Sequence, residues 1–186
     1  MGKGSLAVWM WRLVPIAGLI GVRLVKHIAA DFLPVNLLAD GWLLVGWILG
    51  WLLADSDHWF YALVCNPHEL SCQRVKGELG KKDLKNAWAI LVETAHERTQ
   101  LPIRNVLTAF VMTGVGVWLT MSYGSLIAVG LCLGFAVRLF SEVLAEPDYQ
   151  KWYWVFSRKF AASEHKGLMI GWGIVLIWQW LVLARG

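Results

Sequence analysis

This sequence predicts an all-α, polytopic integral membrane protein, with about five transmembrane helices and a short cytoplasmic helical insertion. Long apolar runs are the first reason. The clearest, Phe32 to Ala54, reads FLPVNLLADGWLLVGWILGWLLA and breaks at once into Asp55-Ser56-Asp57-His58. About 20 apolar residues rising ~1.5 Å each cross a hydrocarbon layer of ~30 Å. Composition is the second reason: the 186 residues are 58% hydrophobic and only 16% charged, where a soluble domain carries about 25%. Tryptophan is the third. Many of the 13 sit at the ends of apolar runs (Trp9, Trp11, Trp42, Trp59, Trp118, Trp152, Trp154, Trp178 and Trp180), the depth of an interfacial aromatic belt.

The first apolar segment, Ser5 to Leu24, carries Arg12, Pro15 and Arg23. It either spans, with Arg12 snorkelling or paired, or lies along the interface; a span is the reading taken. Phe32 to Ala54 is the second span. The longest polar stretch follows, from Asp55 to Arg104, and holds the insertion over residues 70–100. Leu84, Trp88, Leu91 and Ala95 recur at the spacing of one buried helix face, while Gly77, Gly80 and Lys81-Lys82 mark a turn between two short helices. The third span runs from Asn105 to Met121. After a tight connection at Tyr123-Gly124-Ser125, the fourth runs from Leu126 to Leu144. Over residues 147–165 the stretch YQKWYWVFSRKF interleaves aromatics with cations, which suits an amphipathic helix lying on the membrane surface. Gly167 to Ala184 is the last span. The chain, 1–186, reads as one membrane domain.

Lysine and arginine crowd the 55–104 and 146–166 loops and are missing from the Tyr123 turn. The positive-inside rule then puts both basic loops on the cytoplasmic side of an inner membrane, with Arg23 and Lys26 facing outward against the rule. The net charge of +4 is scattered between spans, which argues against nucleic acid as a partner and leaves the lipid bilayer. Three cysteines are too few for a disulfide framework. Arg12 interrupts the N-terminal apolar stretch, so a signal peptide is not expected. Cys65-x2-His68-x3-Cys72, with His96, is at most a weak zinc pattern. Every histidine falls at a span end or in a loop, which excludes a mid-span haem ligand. Asp40, near the outer end of the second span, reads as a local hydrogen-bonding group or as an ion or proton site. Gly114-Val115-Gly116 and Gly171-Trp172-Gly173 read as helix packing.

The chemistry gathers at one depth. Asp55, Asp57 and His58 close the second span, Arg104 opens the third, and Arg138 with Glu142 lies in the inner third of the fourth. Two readings follow. Charges near lipid must pair, so an Asp57–Arg104 or Arg138–Glu142 bridge would lock the helices. Alternatively, carboxylates with histidine suit a divalent metal that activates water, and the arginines suit the phosphate oxygens of a lipid headgroup.

Gly46-Trp47-Ile48-Leu49-Gly50, followed by Leu53 and Asp55-Ser56-Asp57-His58, resembles the Gly-rich span ending in Asp-x-Asp-His of the membrane-bound metal-dependent hydrolase-like family. That family comprises small multi-span bacterial proteins. His96-Glu97-Arg98-Thr99 with Arg104-Asn105 resembles its next element, and Gly134-Phe135-Ala136-Val137-Arg138 with Glu142 the one after. The resemblance runs from Val35 to Phe156. It implies a helical membrane fold, Asp57, His58 and Glu97 as catalytic residues, and Asp55, Asp57, His58 and Glu142 around a divalent metal. Arg104 and Arg138, assigned to anion binding, stand where the family has histidines. A guanidinium cannot ligate a metal, so ion pairs in the metal's place are what this exchange implies. The rival expectation is a non-catalytic membrane subunit or scaffold. It would assemble with itself or with a larger complex through the insertion and the aromatic stretch.

Overall fold

A computed structural model describes residues 4–29, 33–57, 70–93, 103–122 and 124–185, with side chains from 13 onward except at 29, 33–36, 70–72, 88, 91 and 92. Among the described residues there are seven α-helices and no strand: α1 (Gly4–Ala29), α2 (Leu33–Asp55), α3 (Leu70–Gly80), α4 (Leu84–Glu93), α5 (Val106–Met121), α6 (Leu126–Ala145) and α7 (Ala162–Arg185). Among the described residues, three stretches are long and apolar enough to cross a membrane: Leu37–Asp55 of α2, α6 and α7. The 16 residues of α5 are as apolar but extend only about 24 Å. Although α1 has 26 residues, its last two turns carry Arg23, Lys26 and His27.

The bundle is built around one seam. Helices α2 and α6 run parallel and press backbone against backbone at Gly46, Gly50, Gly130 and Gly134. A Cβ at Gly46 or Gly50 would overlap the carbonyl of Ile127 or Leu131, and one at Gly130 or Gly134 the carbonyl of Leu43 or Trp47. Each helix therefore contributes a Gly-x3-Gly stripe. Where lipid is as apolar as the side chains, dispersion across such a close approach is what holds helices together. The expected packing pairs share this role only in part: Gly116 meets Gln179 and Gly173 meets Phe140, but Gly114 and Gly171 face open space.

Around the seam, α1, α5 and α7 run the other way. A ladder of polar contacts aligns α5 with α7 in parallel. Trp172 Nε1 donates to Thr113 Oγ1 at 2.9 Å, and one heptad on Gln179 Nε2 donates to Thr120 Oγ1 at 3.1 Å. Each threonine hydroxyl in turn donates to the carbonyl four residues back in its own helix. Trp180 Nε1 ties α7 to α1 through the Pro15 carbonyl at 2.9 Å.

Two expected elements take a different form. The surface helix foreseen over 147–165 is instead a 3-10 turn, Tyr149–Tyr153, followed by a folded loop into α7. Aromatic stacking explains the change, because these rings find partners among themselves. Tyr149 stacks on His165 at 4.5 Å, Tyr153 on Phe160 at 4.3 Å, and Tyr149 and Gln150 both donate to the Phe160 carbonyl. Trp152 and Tyr153 are buried, whereas Trp154, Val155 and Phe156 stay exposed beside Arg158 and Lys159. Trp152 thus leaves the expected belt, while Trp42, Trp118, Trp154 and Trp178 remain on its surface.

Within the insertion, α3 and α4 pack on each other across the expected turn, where Lys82 takes the left-handed conformation at φ 59. Asp83 caps α4 by accepting from the Asn86 amide at 3.0 Å and its side chain at 2.7 Å. The buried positions are Val75 and Ala87 rather than Leu84, which is exposed; Ala95 lies outside the described residues.

Candidate functional site

Three stretches distant in sequence converge at the end of the bundle where α2 and α6 finish and α5 begins. Asp55 is the last residue of α2, and the chain turns immediately after it through Ser56, whose hydroxyl donates to the Leu53 carbonyl. Asn105 caps α5 by accepting from the Thr108 amide at 2.9 Å, which sets the direction in which Arg104 leaves the helix. Arg138 and Glu142 lie one turn apart on the α2-facing side of α6 and pair at 2.8 Å.

These four side chains close into a ring. Arg138 Nη2 reaches Asp55 Oδ1 at 3.0 Å, and Arg104 Nη2 reaches the same oxygen at 3.1 Å. Arg104 Nε stands 3.4 Å from Glu142 Oε2, an ion pair without hydrogen-bond geometry. Two cations and two carboxylates balance in number. They do not exhaust the donors. Arg138 is 91% buried by its 9% side-chain exposure, and its Nε and Nη1 have no hydrogen-bond partner. Its guanidinium lies 5.1 Å from the centroid of the Trp51 ring, a cation–π contact in a dry setting.

Asp57 is fully buried and does other work. Its Oδ1 accepts from the Ile103 amide at 3.1 Å and its Oδ2 from the Arg104 amide at 2.8 Å. Burial pushes its carboxyl above the ordinary aspartate range, while the two amides and the Arg104 charge pull it down. The expected bridge to the Arg104 side chain is thus replaced by an anchor on the Arg104 backbone. Asp57 fixes the approach to α5, and Asp55 takes the guanidinium.

Sequence reading therefore brings Asp55, Asp57, Arg104, Arg138 and Glu142 to one place, and the structure assembles all five there. His58, Cys65, His68, His96 and Glu97 lie outside the described residues, as does the Cys72 side chain. Among the described residues, no three histidine, cysteine, aspartate or glutamate side chains gather as a metal would require. Asp57 has both oxygens on amides, and Asp55 and Glu142 are bound to arginines. The described part of the site does not fit a metal ion.

A second ionic group, at the opposite end of the bundle, was not foreseen as a unit. Arg23 Nε donates to Asp40 Oδ1 at 2.6 Å, and Arg23 Nη1 donates to the Leu183 carbonyl at 2.7 Å. His27, one turn on, places Nε2 3.3 Å from Asp40 Oδ2 without hydrogen-bond geometry. All three side chains are buried. The signal was present in the sequence. Arg23 contradicts the positive-inside rule at the same depth at which Asp40 is unexplained, and each accounts for the other.

Comparison with protein-family models, with curated proteins and with solved structures finds no match for this chain.

Proposed function

We propose that this chain is a multi-pass inner-membrane protein built on the plan of the metal-dependent hydrolase-like family, with paired arginines where the metal would sit. In this reading α1, α2, α5, α6 and α7 are the five spans, and the α3–α4 hairpin lies on the cytoplasmic side. The site engages the phosphate of an anionic lipid headgroup and does not hydrolyse it. The observation that carries this is Arg138, buried yet holding Nε and Nη1 unpartnered beside Arg104 Nε. Planar guanidinium donors match phosphate oxygens, and unmet donors in a dry site favour an incoming acceptor. What supports the family plan is that all three resembling segments contribute to the same ring of charges.

Thermal unfolding of the purified protein tests it, in micelles doped with phosphatidylglycerol or with phosphatidylcholine. Phosphatidylglycerol raises the melting temperature of the wild type by several degrees over phosphatidylcholine, and the difference vanishes in Arg138→Gln. Equal melting in both lipids for the wild type defeats the proposal. A second reading, a non-catalytic subunit, draws on the α3–α4 hairpin, which packs on itself and leaves Leu84 exposed.

A further inference from the structure

At the end of the bundle opposite the ring of charges, Asp40 is only half used. Arg23 donates to Oδ1, while Oδ2 accepts no hydrogen bond although the side chain is 5% exposed. His27 Nε2 faces Oδ2 at 3.3 Å and is enclosed and unpartnered in the same way. A bridging water needs about 4.5 Å or more between the groups it joins, so this gap does not hold one. It holds one hydrogen. A carboxylate oxygen only accepts, and so does a histidine nitrogen without a proton, so the contact is repulsive unless Nε2 carries the hydrogen. The ring stands beside Oδ2 without being aimed at it, within reach of a bond it does not make.

The surroundings favour a cation on this ring. Among the described residues, the ionisable groups at this end are Arg23, Lys26 and His27 on α1, Asp40 on α2 and Arg185 on α7. Arg23 donates a second N–H to the Leu183 carbonyl at 2.7 Å, and Lys26 donates to the Arg185 carbonyl at 3.3 Å. Both are thus turned toward the end of α7, which leaves Oδ2 to His27. His27 also lies in the last turn of α1, where unpaired C-terminal carbonyls attract positive charge. Arg23 opposes a second cation, but its own charge is set against Oδ1. In so dry a setting an ion pair on the other oxygen is stronger than it would be in water.

We infer that His27 and Asp40 form a proton-operated catch between α1 and α2. The neutral imidazole takes a proton from solvent, both ring nitrogens then carry hydrogen, and the imidazolium turns its Nε2–H onto Asp40 Oδ2. Loss of that proton to solvent returns the ring to the loose contact. Since α1 meets the bundle mainly through α2 and α7, this one proton sets how firmly its last turn is held. The ion pair exists only in the folded chain. Its contribution is therefore present at low pH and fades as the pH rises through the histidine range.

The full chain in a non-ionic micelle, melted between about pH 8 and about pH 5, tests the inference against His27→Gln, whose side chain donates a hydrogen bond but carries no charge. The wild type is expected to melt several degrees above the variant at the acid end, with the gap closing toward the alkaline end. In an Asp40→Asn background the same substitution gives no pH-dependent gap, because the imidazolium has no carboxylate to meet. A gap that is the same at every pH overturns the inference. Should a variant fail to fold, the wild type alone suffices. Nitrogen NMR of the His27 ring, assigned through its backbone amide, is expected to show two protonated nitrogens at low pH, with Nε2–H slow to exchange with water. A ring N–H that exchanges freely at low pH overturns the catch as well.

Discussion

Two buried ionic groups sit at opposite ends of α2, about 22 Å apart along its axis, and they are built on different plans. At the Asp40 end one guanidinium is matched on both its edges, by a carboxylate on α2 and by a carbonyl at the end of α7. The pair is 8% and 5% exposed. At the Asp55 end two guanidiniums share two carboxylates, Asp55 is 33% exposed, and Arg138 keeps two nitrogens unmatched. Each guanidinium faces carboxylate in both. What differs is where the unmet groups lie. At the Asp40 end they are Asp40 Oδ2 and His27 Nε2, which face each other at 3.3 Å and leave Arg23 itself held on both edges, so the cluster behaves as a clasp on α1, α2 and α7. At the Asp55 end they are nitrogens of the guanidiniums themselves, which retain capacity for a further acceptor.

Both clusters hang from the α2–α6 seam, so the largest effect comes from breaking that seam. Gly50→Val places a branched side chain against the Leu131 carbonyl and the Phe135 amide. Overpacking against side chains costs about 1–3 kcal/mol, and backbone on both sides leaves less room to yield. The expected outcome is loss of a cooperative melting transition in micelles, with both ends released together. A Gly50→Val protein that melts like the wild type would mean that the two ends are not held by a common spine.

The two ends separate at the next level of effect. Asp40→Ala strands Arg23 in a dry contact, and breaking a buried pair from one side costs about 3–5 kcal/mol. Asp55→Ala removes a carboxylate that is itself 33% exposed and leaves both arginines paired with Glu142, so a smaller loss, on the order of 2 kcal/mol, is expected. Denaturation of the two variants in the same micelle measures the contrast directly. Equal losses would erase the distinction between clasp and site.

The sequence made the Asp55 end legible because its signals are local and coarse. Runs of apolar residues set the helices, the break at Asp55-Ser56-Asp57 marked an end, and Arg138 with Glu142 at one helical turn had to face something. Counting residues from span ends then placed all of them at one depth. The Asp40 end was harder, since Arg23 and Asp40 belong to different helices and only their depth connects them. Gly46, Gly50 and Gly134 enter the sequence reading only through the family resemblance, and glycine content says that a helix permits close approach and not which neighbour uses it. Gly114 and Gly171, also small residues on apolar helices, meet nothing. The loop after α6 departs from its pattern for a related reason. An aromatic and cationic pattern suits a surface helix, yet the rings gained more by stacking on one another and on His165 than by lying in an interface.

The smallest effect bears on what Asp57 is for, and so on whether the Asp55 end is a metal site in its unmatched part. As an anchor, Asp57 acts through the Ile103 and Arg104 amides; as a ligand it would act through a bound ion. Asp57→Asn keeps the shape and one acceptor but points an amide donor at one of those N–H groups. A net loss of about 1 kcal/mol is expected, together with faster hydrogen exchange at Ile103 and Arg104 and no change in the metal content of the purified protein. Stoichiometric metal in the wild type that disappears in the variant would return the site to the hydrolase plan. The pH profile adds a sign. Because burial raises the Asp57 carboxyl above its ordinary 3.8, its contribution is complete below that value and declines as the pH climbs through the raised one. The Asn variant has nothing to titrate there, so the stability gap between the two proteins narrows toward neutral pH if the buried carboxyl serves the loop alone.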